Sequence, residues 1–290
     1  MHHLLSFVLL SLVVSSAGLA ADTVVVRCSQ TVTPILESAK TLVAKDYPNT
    51  VFTITGCGTK GSIEAVAYGT AKLGATVRPL RPEEQEANPD LILTEIAKDG
   101  MALVVQDSNP VRDLTSEQFA GILLGTVTNW NQLGGPDLPI APIGRSDVNQ
   151  VVEFVNMKLG LEHRMVTGPR SQSITYKPKG AATFGQFLLP AVTMNTEVLA
   201  QVAKNPGGFT FITLGLVRER IAKGEHFAIL SFNGIAPTEA AVRDGTYPFA
   251  RSLFLLTKGA PTGPVKALVE AVLSPEGQQI IVDQGFVLLQ

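Results

Sequence analysis

The sequence predicts an α/β fold in two lobes, each a mostly parallel sheet flanked by helices. Short apolar or β-branched runs alternate with capped helical runs from residue 23 onward, and a βαβαβ succession implies parallel strands covered by helices. A glycine-rich turn, Gly56-Cys57-Gly58-Thr59-Lys60-Gly61-Ser62, passes directly from a strand pattern into a helix pattern. Strand and helix patterns return near the C-terminus, as expected of a chain that leaves one lobe, builds a second and comes back.

Thr23–Val26 reads as a short buried strand, and Thr33 caps a helix with Pro34 at its first position, running to about Ala44. Val51–Thr55 alternates as a strand should, and Ser62 is the expected N-cap of the helix after the glycine turn. Leu73–Val77 is a third strand, followed by Arg78-Pro79-Leu80-Arg81-Pro82. Met101–Val105 opens a different region, where Thr115 and Gln118 form a capping box for a helix ending near Gly125. Pro139–Ile143 is strand-like, Asn149–Met157 and Asn195–Lys204 are helical, and residues 160–192, rich in Gly, Ser, Thr and Pro, read as loop. Phe209–Ile212, Phe227–Phe232 and Phe249–Thr257 follow as strands. Ser274 caps a last helix over Pro275–Gln284, which Gly285 closes. The expected division is a leader at 1–20, one lobe from 21–100 with 250–290, and a second from 101–249.

Residues 1–20 carry no Asp, Glu, Lys or Arg, and the apolar stretch Leu4–Val14 ends in the small residues Ala17-Gly18-Leu19-Ala20. That is the pattern of a secretory signal peptide, too short to cross a bilayer. The expected location is periplasmic or secreted, as a soluble protein after cleavage. A net charge of −2 over 290 residues excludes broad nucleic-acid binding, which needs a strong basic excess. A monomer is expected. Cys28 and Cys57 each follow a predicted strand; if those strands are parallel neighbours in an oxidising compartment, a disulfide is the leading reading and two free thiols the alternative.

A glycine turn feeding a helix leaves backbone N–H groups aimed at one spot, backed by the positive end of the helix dipole. Such a corner binds anions; the plainer reading is an ordinary surface turn. Hydrolytic chemistry would need a nucleophile with a base, or a metal cluster. His163 and His226 stand alone, without the spacing of metal ligands. No enzymatic activity and no cofactor are expected.

Several segments together carry a family likeness: Cys28-Ser29-Gln30-Thr31-Val32-Thr33-Pro34, the glycine turn, Gly74-Ala75-Thr76-Val77-Arg78-Pro79-Leu80, Thr128-Asn129-Trp130-Asn131-Gln132-Leu133-Gly134-Gly135, Arg145-Ser146-Asp147, Asn205-Pro206-Gly207-Gly208-Phe209, Tyr247-Pro248-Phe249-Ala250-Arg251 and Leu273-Ser274-Pro275-Glu276-Gly277-Gln278. In this order the chain resembles the periplasmic substrate-binding proteins of phosphate ABC transporters. The resemblance implies a two-lobed "Venus flytrap" with the ligand between the lobes, inorganic phosphate or a related oxyanion as that ligand, and an ABC permease as partner. It implies a ligand set of Thr31, Gly58, Thr59, Lys60 and Arg78 from one lobe and Arg145 and Asn149 from the other, with Asp147 orienting Arg145. Two positions depart from the family. Val77 stands where the family carries an Asp that accepts the proton of HPO₄²⁻, and Val148-Asn149-Gln150 replaces a Gly-Ser-Gly-Thr run. The alternative function is a non-transport extracytoplasmic anion sensor or accessory binding protein with an altered pocket.

Overall fold

The computed structural model describes residues 22–145, 150–169, 171–192 and 195–290. The leader at 1–20 lies outside them. The first part alternates as expected: β1 (Asp22–Cys28), α1 (Thr33–Val43), β2 (Thr50–Gly56), α2 (Gly58–Ala67), β3 (Leu73–Thr76). Then come α3 (Pro82–Ala87), the long β4 (Leu91–Gln106), β5 (Asp113–Leu114), α4 (Ser116–Leu124), β6 (Ala141–Pro142) and β7 (Gly144–Arg145). Next are α5 (Gln150–Leu159), β8 (Leu161–Thr167), β9 (Gln172–Pro178), β10 (Leu189–Val192), α6 (Asn195–Lys204) and β11 (Gly208–Thr213). The chain ends with α7 (Leu214–Ala222), β12 (Phe227–Phe232), α8 (Glu239–Arg243), β13 (Ala250–Lys258), α9 (Gly263–Leu273) and α10 (Pro275–Asp283).

A mixed nine-stranded sheet runs in the order β2-β1-β3-β13-β4-β11-β6, with β12 and β5 branching from β4. Pairing is parallel between β1 and both β2 and β3, and between β6 and β11. It is antiparallel where β13 meets β3 and β4, and where β11 and β12 meet β4. The sheet is therefore less parallel than the alternation suggested. The cause is β4, whose 16 residues pair with β13 over one half and with β11 and β12 over the other, strands that return in the opposite direction.

The chain packs around two main cores. In one, Val26, Ile35, Leu36 and Leu73 meet Ile96, Leu253, Leu268 and Ile281. In the other, Phe119 is ringed edge-on by Phe209, Phe211 and Phe249 at 5.5–6.0 Å between centroids, a preferred aromatic geometry. Trp130 is fully buried beside them, its Nε1 donating to the Gly207 carbonyl at 3.2 Å. The strand β4 supplies Ile96 and Ala97 to the first core and Met101 to Val105 to the second. Asp99 and Gly100 lie between these contributions.

Local signals place most ends. Thr115 and Gln118 complete their capping box on α4, and Gly125 closes it in the left-handed conformation. Ser274 accepts from Gly277 N at the start of α10. Three readings are corrected. Residues 160–192 are largely β8, β9 and β10, joined with β7 in a four-stranded sheet; Leu161, Ile174, Tyr176 and Leu189 bury its inner side, while the Gly, Ser and Pro residues gather mostly in its turns. Two expected N-caps fail: Ser62, because α2 begins a turn earlier, at Gly58, and Thr33, because it is the first residue of α1, behind Val32 at the cap position. Helices α3, α7, α8 and α9 had no counterpart in the sequence reading.

Candidate functional site

The ends of β1, β2 and β3 converge at one corner. Cys28 pairs with Gly56 and with Ala75, so these three positions are neighbours across the sheet. After β1, Ser29 N donates to Ala75 O at 2.9 Å, and Val32 N and Thr33 N both donate to Ser29 O, coiling the loop into α1. After β2, Cys57 N donates to Cys28 O at 2.8 Å and the chain enters α2 through Gly58 at φ +76°, a conformation that glycine adopts without strain. Neither α1 nor α2 has a side-chain cap at its N-terminus. The two helix starts lie close: a Cβ on Gly56 would sit 3.0 Å from Gln30 Cγ and 3.4 Å from Thr33 Oγ1. First-turn N–H groups have no partner within their own helix; in α1 Thr33 N is taken by Ser29 O and Pro34 carries no N–H, so the positive potential at this corner comes mainly from the start of α2.

Serine and threonine hydroxyls tie the corner together. Buried Ser62 donates through Oγ to Arg27 O at 2.7 Å and accepts from Ala75 N at 2.9 Å, linking α2 to β1 and β3. Thr59, 5% exposed, accepts from Val77 N at 3.2 Å. Gly74 permits this close approach, since a Cβ there would meet Ser62 Oγ at 2.7 Å and Val66 Cγ2 at 2.9 Å.

The ligand residues expected from sequence divide into three groups. Thr31, Gly58 and Thr59 are brought to this corner. Arg78 is engaged elsewhere: Nη1 and Nη2 donate to the two Glu84 oxygens at 2.7 and 2.8 Å, and Nη1 also donates to Pro79 O. Those hydrogen bonds hold the Glu84 carboxyl below its ordinary range. The Lys60 side chain is 82% exposed, its nearest carboxylate that of Glu64 at 3.7 Å. Arg145 pairs through its backbone with Val192 at the edge of the second sheet. Asn149 and Asp147 fall outside the described residues.

The disulfide reading is corrected: Cys28 and Cys57 are free. Parallel pairing does make them neighbours, but their thiols diverge. Cys28 is buried with Sγ 3.2 Å from Thr33 Oγ1 and donating toward Thr55 O, whereas exposed Cys57 directs Sγ toward Gly58 O. Burial pushes both thiols up from their ordinary pKa. His163 is hydrogen bonded to Asn156 and His226 to Asp107. Among the described residues no three His, Cys, Asp or Glu side chains form a group able to hold a metal.

Sequence reasoning missed one charged pair beside this corner. Arg251 on β13 and Asp99 on β4 are cross-strand partners, with side chains 4% and 1% exposed. Arg251 donates to Asp99 Oδ2 from Nε at 2.9 Å and from Nη2 at 2.6 Å, and Nη2 also reaches Thr31 Oγ1 at 3.5 Å. Burial pushes the Asp99 carboxyl up against the pull of Arg251. The available signal was an arginine set into the apolar run 249–257.

Residues 13–276 match the PBP superfamily domain. The phosphate-binding protein PstS of Borreliella burgdorferi is 28% identical over 259 residues, covering 89% of this chain and 87% of that protein. Among solved structures, an ABC-type phosphate transport receptor from Vibrio cholerae superposes with a TM-score of 0.73 at 25% identity, covering 92% of this chain and all of that one. PstS from Borrelia burgdorferi gives a TM-score of 0.68 at 27% identity, covering 93% and 99%. The fold is thus the two-lobed binding-protein architecture, with α/β packing around a mixed sheet. The chain belongs to the PBP superfamily, and within it is PstS-like.

Proposed function

We propose that this is an exported solute-binding protein that captures an inorganic oxyanion, phosphate foremost, between two lobes and delivers it to an ABC permease. The lobes are 21–100 with 250–290, and 101–249, hinged where β4 and β13 cross. The observation that carries the reading is the convergence of two helix N-termini lacking side-chain caps with Thr31 and Thr59 at the ends of parallel strands. In open α/β sheets ligands sit beyond the carboxyl ends of the strands, and N–H groups at helix starts favour negative charge. The similarity to phosphate-binding proteins supports phosphate as the first anion to test. The apolar leader supports export, and among the described residues no helix is long and apolar enough to cross a membrane.

The anion acts by its differential contacts. Donors of the first lobe hold it in the open state, those of the second join on closing, and the added contacts favour the closed form. Arg145 and Asn149 are the residues we assign to the second lobe, an Arg being suited to oxyanions by its planar fork.

Val77 favours a second reading, an anion sensor or accessory binding protein. It stands where the resembled family carries an acid, and its side chain is buried in the first core. Without a carboxylate to accept the phosphate proton, discrimination against sulfate is lost. Calorimetric titration of ligand-stripped protein with phosphate and then sulfate tests both readings. The expected outcome is binding of phosphate with sulfate competing for the same site. Silence toward both anions would remove the transport reading and put the sensor first.

A further inference from the structure

The Arg251–Asp99 pair is unusual for a purely structural element. It is buried, yet among the described residues Arg251 Nη1 and Asp99 Oδ1 have no hydrogen-bond partner. Buried ion pairs stabilise only when desolvation is offset by a full set of hydrogen bonds, and a buried unsatisfied group calls for an explanation. Its place supplies one. Asp99 lies on β4 between the residues given to the two cores, Arg251 opens β13 opposite it, and the arginine reaches the loop that ends β1.

We propose that Arg251 is a positioning residue for anion binding that acts through the Thr31 hydroxyl; the inference rests on the oxyanion reading above. A guanidinium is a donor only. Where its Nη2 donates to Thr31 Oγ1, the hydroxyl oxygen is the acceptor and its proton points away from Arg251. Thr31 is thereby committed to donating, the polarity an oxyanion requires. A charged donor also polarises the hydroxyl it binds, strengthening the next hydrogen bond in the chain. Asp99 completes the device: by taking Nε and Nη2 on one oxygen it fixes the plane of the guanidinium. An Asp99–Arg251–Thr31 relay thus links the strands crossing between the lobes to the anion corner.

The test is a set of variants titrated with inorganic phosphate beside the wild type, each with its urea midpoint. Thr31→Val and Arg251→Lys should each weaken phosphate by roughly tenfold or more, the loss of a hydrogen bond to a charged group. Thr31→Ser should bind as the wild type does. Because Arg251 acts through Thr31, the double variant should be no weaker than the weaker single, whereas losses by unconnected routes would add. If Arg251→Lys does not fold, Asp99→Asn with Arg251→Gln replaces the ion pair by neutral amides and must show the same loss. Wild-type affinity in Arg251→Lys or in that double variant overturns the inference, as do additive losses, while the oxyanion reading stands. A wild type that binds neither phosphate nor sulfate removes that reading and this inference with it.

Discussion

Among individual residues, environment has separated two side chains that look alike in the sequence. Cys28 and Cys57 both follow strands of the same sheet, but Cys28 faces Thr33 in the core and Cys57 faces outward. A thiol reagent should therefore modify one cysteine rapidly in the native protein and the second only after denaturation. Counting modified thiols by mass spectrometry checks this, and a protein with no reactive thiol before reduction would establish the bridge instead. Arg78 and Arg251 make a similar contrast. The former is spent on Glu84, while the latter holds a buried acid and touches a hydroxyl of the candidate site.

Among secondary-structure elements, the corner depends on how α2 is fastened across β1 and β3. Ser62 makes that fastening with one hydroxyl used in both directions. Its removal leaves a buried carbonyl and a buried amide short of a partner, which costs about 1–3 kcal/mol. Ser62→Ala should accordingly lower the unfolding free energy by that amount and shift the urea midpoint down in proportion, whereas Ser62→Thr would add a methyl group beside Gly74, where contacts are already tight. Denaturation followed by circular dichroism reads the change; an unaltered midpoint would mean that the two backbone groups find other partners.

For the molecule as a whole, β4 belongs to both cores and β13 returns beside it. In the function proposed above, the two strands crossing between the packed bodies serve as the hinge, since few side chains at the crossing must repack when the bodies rotate. Phosphate at saturating concentration should reduce the radius of gyration measured by small-angle X-ray scattering. An unchanged radius on a protein that demonstrably binds phosphate would exclude closure as its response.

Most of the architecture was legible because it is written in local code. Strand ends, the Pro34 and Pro275 helix starts, the Thr115–Gln118 box and the Gly125 and Gly285 stops all depend on residues a few positions apart, and the ordered family segments named the fold. The geometry of the candidate corner was legible for the same reason, as a glycine turn between a strand and a helix. What depends on partners distant in the chain was not. Residues 160–192 read as loop because their turn-forming residues dominate the composition, while the strands between acquire order only by pairing with one another and burying Leu161, Ile174 and Tyr176. Arg78 looked available until Glu84 folded back onto it, the cysteine thiols looked pairable until their side-chain directions were set, and Arg251 gained meaning only when β13 placed it opposite Asp99, 152 residues earlier. Local sequence sets backbone conformation through sterics and capping; which donor meets which acceptor is decided by the packing that brings remote strands together.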